Sequence, residues 1–134
     1  MSKGRVLVVE DERLVAADIE QTLMRSGYAV AARAASGEEA LERAEETRPD
    51  LALMDIVLQG PMDGVEAAHR MAADLRIPVV YLTAHADRRT LDRAKATHPL
   101  GYVVKPFGER DLLTALELAF HRIRTELALL PAIP

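Results

Sequence analysis

Leu51-Ala52-Leu53-Met54-Asp55 is the stretch on which the fold turns: four apolar residues in a row, then a carboxylate. So short an unbroken apolar run fits a strand buried on both faces, as in a parallel sheet covered by helices on each side. The same form recurs at 5–9, 77–82 and 100–104, with a less apolar version at 28–34. The segments between them have helical spacing. Val15, Ile19 and Leu23 mark a first helix. Ser36 and Glu39 open a second with the S-x-x-E spacing in which each side chain satisfies an orphan amide of the first turn, and Leu41 and Ala44 then face inward. Asp63 is placed to cap a third, with Val65, Ala68, Ala72 and Leu75 as its apolar stripe and Pro78 closing the segment. A fourth, over 88–97, shows only Leu91, Ala94 and Ala96, and so weak a stripe predicts a shallowly packed, mobile element. Leu112, Leu116, Phe120, Ile123, Leu127 and Leu130 recur at steps of three or four in a fifth, which ends before Pro131. Strands alternating with helices in this way predict a parallel α/β sheet.

The 134 residues, 49% hydrophobic and 28% charged, suffice for one packed core. A formal charge of -4 gives the bulk surface no attraction for a phosphate backbone, so direct nucleic-acid binding is not expected, although a local basic patch stays open. With no cysteine there is neither a disulfide framework nor a thiolate metal site, which suits a reducing compartment and makes the cytoplasm the expectation. The apolar run from Val6 to Val9 is ended at once by acidic residues, too soon for a signal peptide or a membrane span.

Each expected strand but the second ends in a polar residue of particular character: Glu10-Asp11, Asp55, Thr83 and Lys105. In a parallel sheet the carboxyl ends share one edge, so these side chains, far apart in the chain, converge on one pocket. Three carboxylates held together repel one another unless a cation sits between them. Magnesium, or manganese, is the natural occupant, because a hard ion takes oxygen ligands and tolerates one or two carboxylates beside a phosphate. Asp55 can then act as a nucleophile toward phosphorus. Lys105 and the Thr83 hydroxyl are suited to hold phosphoryl oxygens.

Val8-Val9-Glu10-Asp11-Glu12, Leu53-Met54-Asp55, Tyr81-Leu82-Thr83-Ala84 and Tyr102-Val103-Val104-Lys105-Pro106-Phe107 resemble, in order and in separation, the successive motifs of response-regulator receiver domains. The resemblance covers roughly residues 4 to 123. It implies a flavodoxin-like, doubly wound sheet of five parallel strands in the order 2-1-3-4-5, with five helices. It also implies transfer of a phosphoryl group to Asp55 from the phosphohistidine of a sensor histidine kinase or phosphotransfer protein, with slow autodephosphorylation afterwards. The metal would be held by Glu10, Asp11, Asp55 and the backbone carbonyl of Val57, and Lys105-Pro106 would be joined by a cis peptide. Thr83 and Tyr102 would form the switch pair that alters the face made by the fourth helix, fifth strand and fifth helix for a downstream partner or output domain.

The sequence departs from the family pattern at several points. Glu10 stands where aspartate is commoner. Asp63-Gly64 comes one residue later than usual after the acceptor, so the intervening loop is longer. Val57 and His85 occupy positions that, by the resemblance, set how easily water attacks the acyl phosphate, and apolar Val57 is expected to slow that attack. Ala115 stands where regulators that dimerise through their last two helices carry arginine, although a homodimer through helix five by another mode stays open.

Plainer readings stand beside these. Glu10 and Asp11 can cap the first helix, Asp55 can be an ordinary strand-end carboxylate, Lys105 a solvated lysine, Thr83 a β-branched strand residue and Tyr102 a half-buried core aromatic. Arg88, Arg89, Arg93 and Lys95 form either a partner-binding patch or a solvated face. His69, His85, His98 and His121 lack metal-ligand spacing and are assigned no chemistry. Two other functions compete: a pseudo-receiver that binds without accepting phosphate, and a hydrolase of the dehalogenase type, which would keep a second acid where Val57 stands. Residues 1–124 are read as the receiver domain and 125–134 as a helix extension or linker tail. From Asp111 to Leu130 the fifth helix would span about 30 Å, so its last turns either meet a partner or dock loosely. The few residues past 124 are too short for a helix-turn-helix, which leaves a stand-alone regulator or a piece of a longer protein.

Overall fold

A computed structural model describes residues 2–84 and 87–128, the last two by their backbone alone. Five parallel strands, β1 (Arg5–Val9), β2 (Ala29–Ala34), β3 (Leu51–Asp55), β4 (Val79–Thr83) and β5 (Gly101–Val104), form one sheet in the order β2-β1-β3-β4-β5. The connecting helices are α1 (Arg13–Arg25), α2 (Gly37–Thr47), α3 (Gly64–Arg70), α4 (Arg88–Ala96) and α5 (Glu109–Ala128). Among the described residues no helix is long and apolar enough to cross a membrane.

The continuous apolar strands are explained by two separate cores. Leu7, Val9, Ala52, Met54, Val79 and Tyr81 face one side, with residues of α2, α3 and α4; Val6, Val8, Leu51, Leu53, Val80, Leu82 and Val103 face the other, with α1 and α5. Each strand thus feeds both layers by its period of two. Glu10, Asp55 and Lys105 continue the parity of the residues that face α1 and α5. The strand pattern therefore aims all three polar groups to the same side as it runs out at the edge.

Ser36 caps α2 as its spacing predicts: its hydroxyl accepts from the Glu39 amide at 3.1 Å, and Glu39 reaches back to the Ala35 amide at 2.7 Å. Ala40 and Ala44 are the fully buried residues there, with Leu41 packed at the margin. Glu10 and Asp11 do not cap α1. The N-cap position is Glu12, with no side-chain cap, and Glu10 spends one oxygen on the Glu12 amide at 3.1 Å.

The third helical segment departs from the expected single stripe. The α-helix stops at Arg70 and the chain continues as a π-helical turn, Met71–Leu75. The extra residue per turn rotates the inward face, so Ala67 and Met71 are fully buried while Ala72 is only partly so. Strand β4 starts at Val79, beyond Ile77 and Pro78, because proline has no amide to give the ladder. Tyr28 precedes β2 and lies buried beside the Phe120 ring, their centroids 5.5 Å apart.

Helix α4 is the least embedded: Ala94 is its one buried residue. Helix α5 continues four residues past Arg124, with Ile123 at the core margin. The side chains of Leu127 and Leu130, and Pro131 as the stop, lie outside what is described, as does His85.

Gly64 begins α3 against the backbone of β3. Its amide donates to the Ile56 carbonyl at 2.9 Å, and a Cβ at this position would stand 1.9 Å from the Asp55 carbonyl oxygen. Backbone on both sides leaves no side chain to yield. Gly64→Ala is expected to destabilise the fold by about 1–3 kcal/mol, as overpacking does. Urea unfolding checks this, and an unchanged midpoint would show that α3 backs away freely.

Asp63 caps α3, its Oδ1 accepting from the Glu66 amide at 2.8 Å, and it also receives Arg93 of α4 at 2.8 and 3.3 Å. Burial pushes the Asp63 carboxyl up, but the hydrogen bonds from Arg93 and from the Glu66 amide outweigh it, and the group titrates below its ordinary value. A depressed folded pKa contributes stability above the unfolded value of about 3.9, lost as pH falls through the folded one. The difference in unfolding midpoint between the native chain and Asp63→Asn should therefore be present at neutral pH and close in strong acid; a gap that persists there would be independent of ionisation.

Candidate functional site

Glu10 follows β1, Asp55 and Thr83 end β3 and β4, and Lys105 follows β5. The sheet brings all of them to one edge, and three of them are almost closed off from solvent: Glu10 is 1% exposed, Thr83 5% and Asp55 6%. The Lys105 ammonium donates to Glu10 Oε1 at 2.7 Å and to Asp55 Oδ2 at 2.9 Å. Asp55 Oδ1 accepts from the Val57 amide at 3.0 Å. Both acceptor oxygens of Asp55 are thereby held, and the carboxylate plane is fixed.

Asp11 completes the cluster: one carboxylate oxygen from each of Glu10, Asp11 and Asp55 lies within 4.8 Å of the others. Lys105 supplies one positive charge to these three carboxyl groups. Burial pulls its ammonium toward the neutral form, yet hydrogen bonds and charge from Glu10 and Asp55 more than reverse this and raise its pKa. An all-oxygen donor set, crowded and undercompensated, is the chemistry that fits a hard divalent cation.

Thr83 lies at the same edge, where the Lys105 amide donates to the Thr83 carbonyl at 2.7 Å; its hydroxyl makes a long bond, 3.3 Å, to the Ala84 carbonyl. The Lys105-Pro106 peptide is cis. Tyr102 does not reach the cluster. It is 38% exposed and stacks on Tyr81, centroids 5.9 Å apart, on the side of the sheet that faces α4. Val57 is 70% exposed beside Asp55, because Ile56, Leu58 and Met62 of the same loop are buried in the core and leave Val57 turned outward. An open cavity of about 580 Å³ adjoins Lys105, lined also by Leu14, Val15, Asp18, Pro106 and Phe107.

Three features escaped the sequence. The hydroxyl of Tyr81, buried and titrating near 12 because of that burial, bonds Thr97 at 2.7 Å, and Thr97 donates to the Ala94 carbonyl at 2.6 Å. Arg93 grips Asp63, and Gly64 abuts Asp55. A sequence signal existed only for the Asp63 cap; the partners lie many residues away and follow from the packing of α3 against α4.

The response regulator receiver domain family matches residues 6–117. Among curated proteins, the transcriptional regulatory protein PdtaR of Mycobacterium tuberculosis is 41% identical over 93% of this chain and 60% of its own length. The transcriptional regulatory protein AfsQ1 of Streptomyces coelicolor is 34% identical over 87% of the chain and 51% of its own length. The chain thus spans only about half to three fifths of these relatives. Among solved structures, the signal receiver domain of a modulated diguanylate cyclase from Desulfovibrio desulfuricans G20 superposes with a TM-score of 0.86 at 42% identity, covering 92% of this chain and 98% of that one. A CheY-like receiver domain protein from Methanospirillum hungatei JF-1 gives 0.83 at 26%, covering 91% and 97%. With the strand order, the edge cluster and a match along most of its length in agreement, this chain belongs to the response regulator receiver domain family of two-component signalling.

Proposed function

We propose that Asp55 accepts a phosphoryl group from the phosphohistidine of a sensor histidine kinase or phosphotransfer protein, in a reaction that depends on magnesium or manganese, and that the change is passed to the face of α4, β5 and α5. The observation that carries this reading is the Lys105 ammonium bridging Glu10 and Asp55 with Asp11 alongside. An Asp55 oxygen forms a bond to phosphorus, the bond from phosphorus to the donor imidazole breaks, and the imidazole nitrogen leaves with the electron pair. Lys105 turns its charge to a phosphoryl oxygen, and the Thr83 hydroxyl gives up its long bond to Ala84 to donate to another. Tyr102 turns inward in response.

Glu10, Asp11, Asp55 and the Val57 carbonyl would hold the divalent ion, which when bound supplies positive charge against the repulsion between these carboxylates and an arriving phosphoryl group. Exposed Leu14 and the apolar cavity beside Lys105 offer a donor protein a foothold next to the acceptor. Residues 1–124 serve as the receiver, α5 runs past that boundary to Ala128, and a homodimer through α5 is compatible with its exposed Leu118. Cytoplasmic residence fits both the chemistry and the absence of cysteine, and the net charge of -4 gives this chain no general attraction for nucleic acid.

Incubation with acetyl phosphate and magnesium should add one phosphoryl group, seen by intact mass; Asp55→Asn or excess chelator should abolish the gain. A native protein that stays unlabelled would overturn the reading. Val57 offers an approaching water no polar partner at the mouth of the site, so the phosphoryl group should persist for minutes or longer. Loss of the label within seconds would count against that role for Val57, and Val57→Asn should shorten the lifetime.

A further inference from the structure

Helix α4 is joined to the rest of the molecule mainly by polar contacts. Its one buried residue is Ala94, and two fastenings supplement it. Near its end, the Tyr81 hydroxyl of β4 bonds Thr97, which bonds the Ala94 carbonyl. At mid-helix, Arg93 lays its guanidinium across both oxygens of Asp63. The first fastening is anchored in the core, since Tyr81 is fully buried on a central strand. The second is anchored to the segment that leaves Asp55: Asp63 caps α3, Gly64 hydrogen-bonds Ile56, and the Gly64 backbone presses on the Asp55 carbonyl so closely that no side chain fits between.

We infer that Arg93 is a coupling residue: through Asp63 and the Gly64 contact it ties the position of α4 to the backbone of the phosphoacceptor, by a path separate from Thr83 and Tyr102. The inference rests on the phosphoacceptor reading above. A shift of the Asp55 carbonyl has no slack to absorb it at Gly64, and Asp63 is the next residue back. A two-point grip transmits both displacement and rotation, which a single contact does not. Tyr81 and Thr97 then act as the pivot about which α4 turns. Because the Arg93 and Asp63 side chains are 47% and 37% exposed, their pairing contributes little to global stability, so it can be removed without unfolding the chain.

The test is amide hydrogen exchange over residues 91–97, followed by mass spectrometry before and after acetyl phosphate with magnesium, with the label on Asp55 read in the same samples. In the native protein labelling should change exchange there by about fivefold or more, the lower end for coupled sites. Arg93→Ala should still take the label but lose most of that response. Asp63→Asn should behave alike, although asparagine keeps the cap on Glu66. Combining the two should lose no more than either alone, whereas independent structural damage would add. Arg93→Lys, with charge but no fork, should fall between. If Arg93→Ala were poorly folded by circular dichroism, Asp63→Asn and Arg93→Lys carry the same comparison. A labelled native protein with unaltered exchange in 91–97, or a labelled Arg93→Ala that responds like the native one, overturns the coupling and leaves the phosphoacceptor reading standing. An unlabelled native protein removes both.

Discussion

One ammonium among three carboxyl groups is the constraint to which the rest of this molecule answers. Lys105 holds both Glu10 and Asp55 while Asp11 crowds the same space. Such a cluster costs free energy, since like charges are brought together and partly taken from water, and no small rearrangement of a rigid sheet edge relieves it. The cost is met by the two apolar layers, whose strands are buried almost without interruption. A parallel sheet suits this purpose because its strands end together and its stability does not come from the edge. The strained chemistry is thus placed where the fold has least to lose.

The two layers are not equivalent. On the side of α1 and α5, long apolar residues such as Ile19, Leu23, Leu112, Leu116 and Phe120 pack under the sheet. On the other side, α2, α3 and the π-helical turn present mostly alanine with Val65 and Met71, and α4 adds only Ala94. Small residues draw helices close to the sheet but gain little from each contact, at about 25 cal/mol per Å² of apolar surface. Tyr102 and Val104 of the edge strand remain exposed because α4 does not reach over them. Within the face proposed to signal, α4 is therefore the least firmly packed element, as elements that move are drawn from the low-stability end of a fold.

Much of this was legible in the sequence, and the reasons differ by element. Short apolar runs ending in Asp55, Thr83 and Lys105 announced the parallel sheet and its convergent edge, because burial on both faces and a shared strand polarity leave little choice. The cap at Ser36 was equally plain, being local. The π-helical turn after Arg70 was not, since Val65, Ala68, Ala72 and Leu75 fit an unbroken α-helix and the deviation is decided by the burial of Met71. Capping of α1 by Glu10 or Asp11 failed because the helix begins later, with Glu12 at the N-cap position, and the Glu10 oxygens go instead to Lys105 and the Glu12 amide.

The loop after Asp55 shows how local packing sets the chemistry presented at the site. Leu58 and Met62 are both buried in the core, and Met62 lies so close to Gly37 of α2 that a side chain there would collide with it. Anchored at two points, the loop takes up its length outward, between them, at Gln59, Gly60 and Pro61, with Gly60 in the left-handed region that glycine tolerates. Val57, one position before the first anchor, is left facing solvent by the alternation that buries Ile56 and Leu58. Its exposure is therefore a consequence of apolar anchoring elsewhere in the loop, and the polarity presented at the mouth of the site follows from that packing.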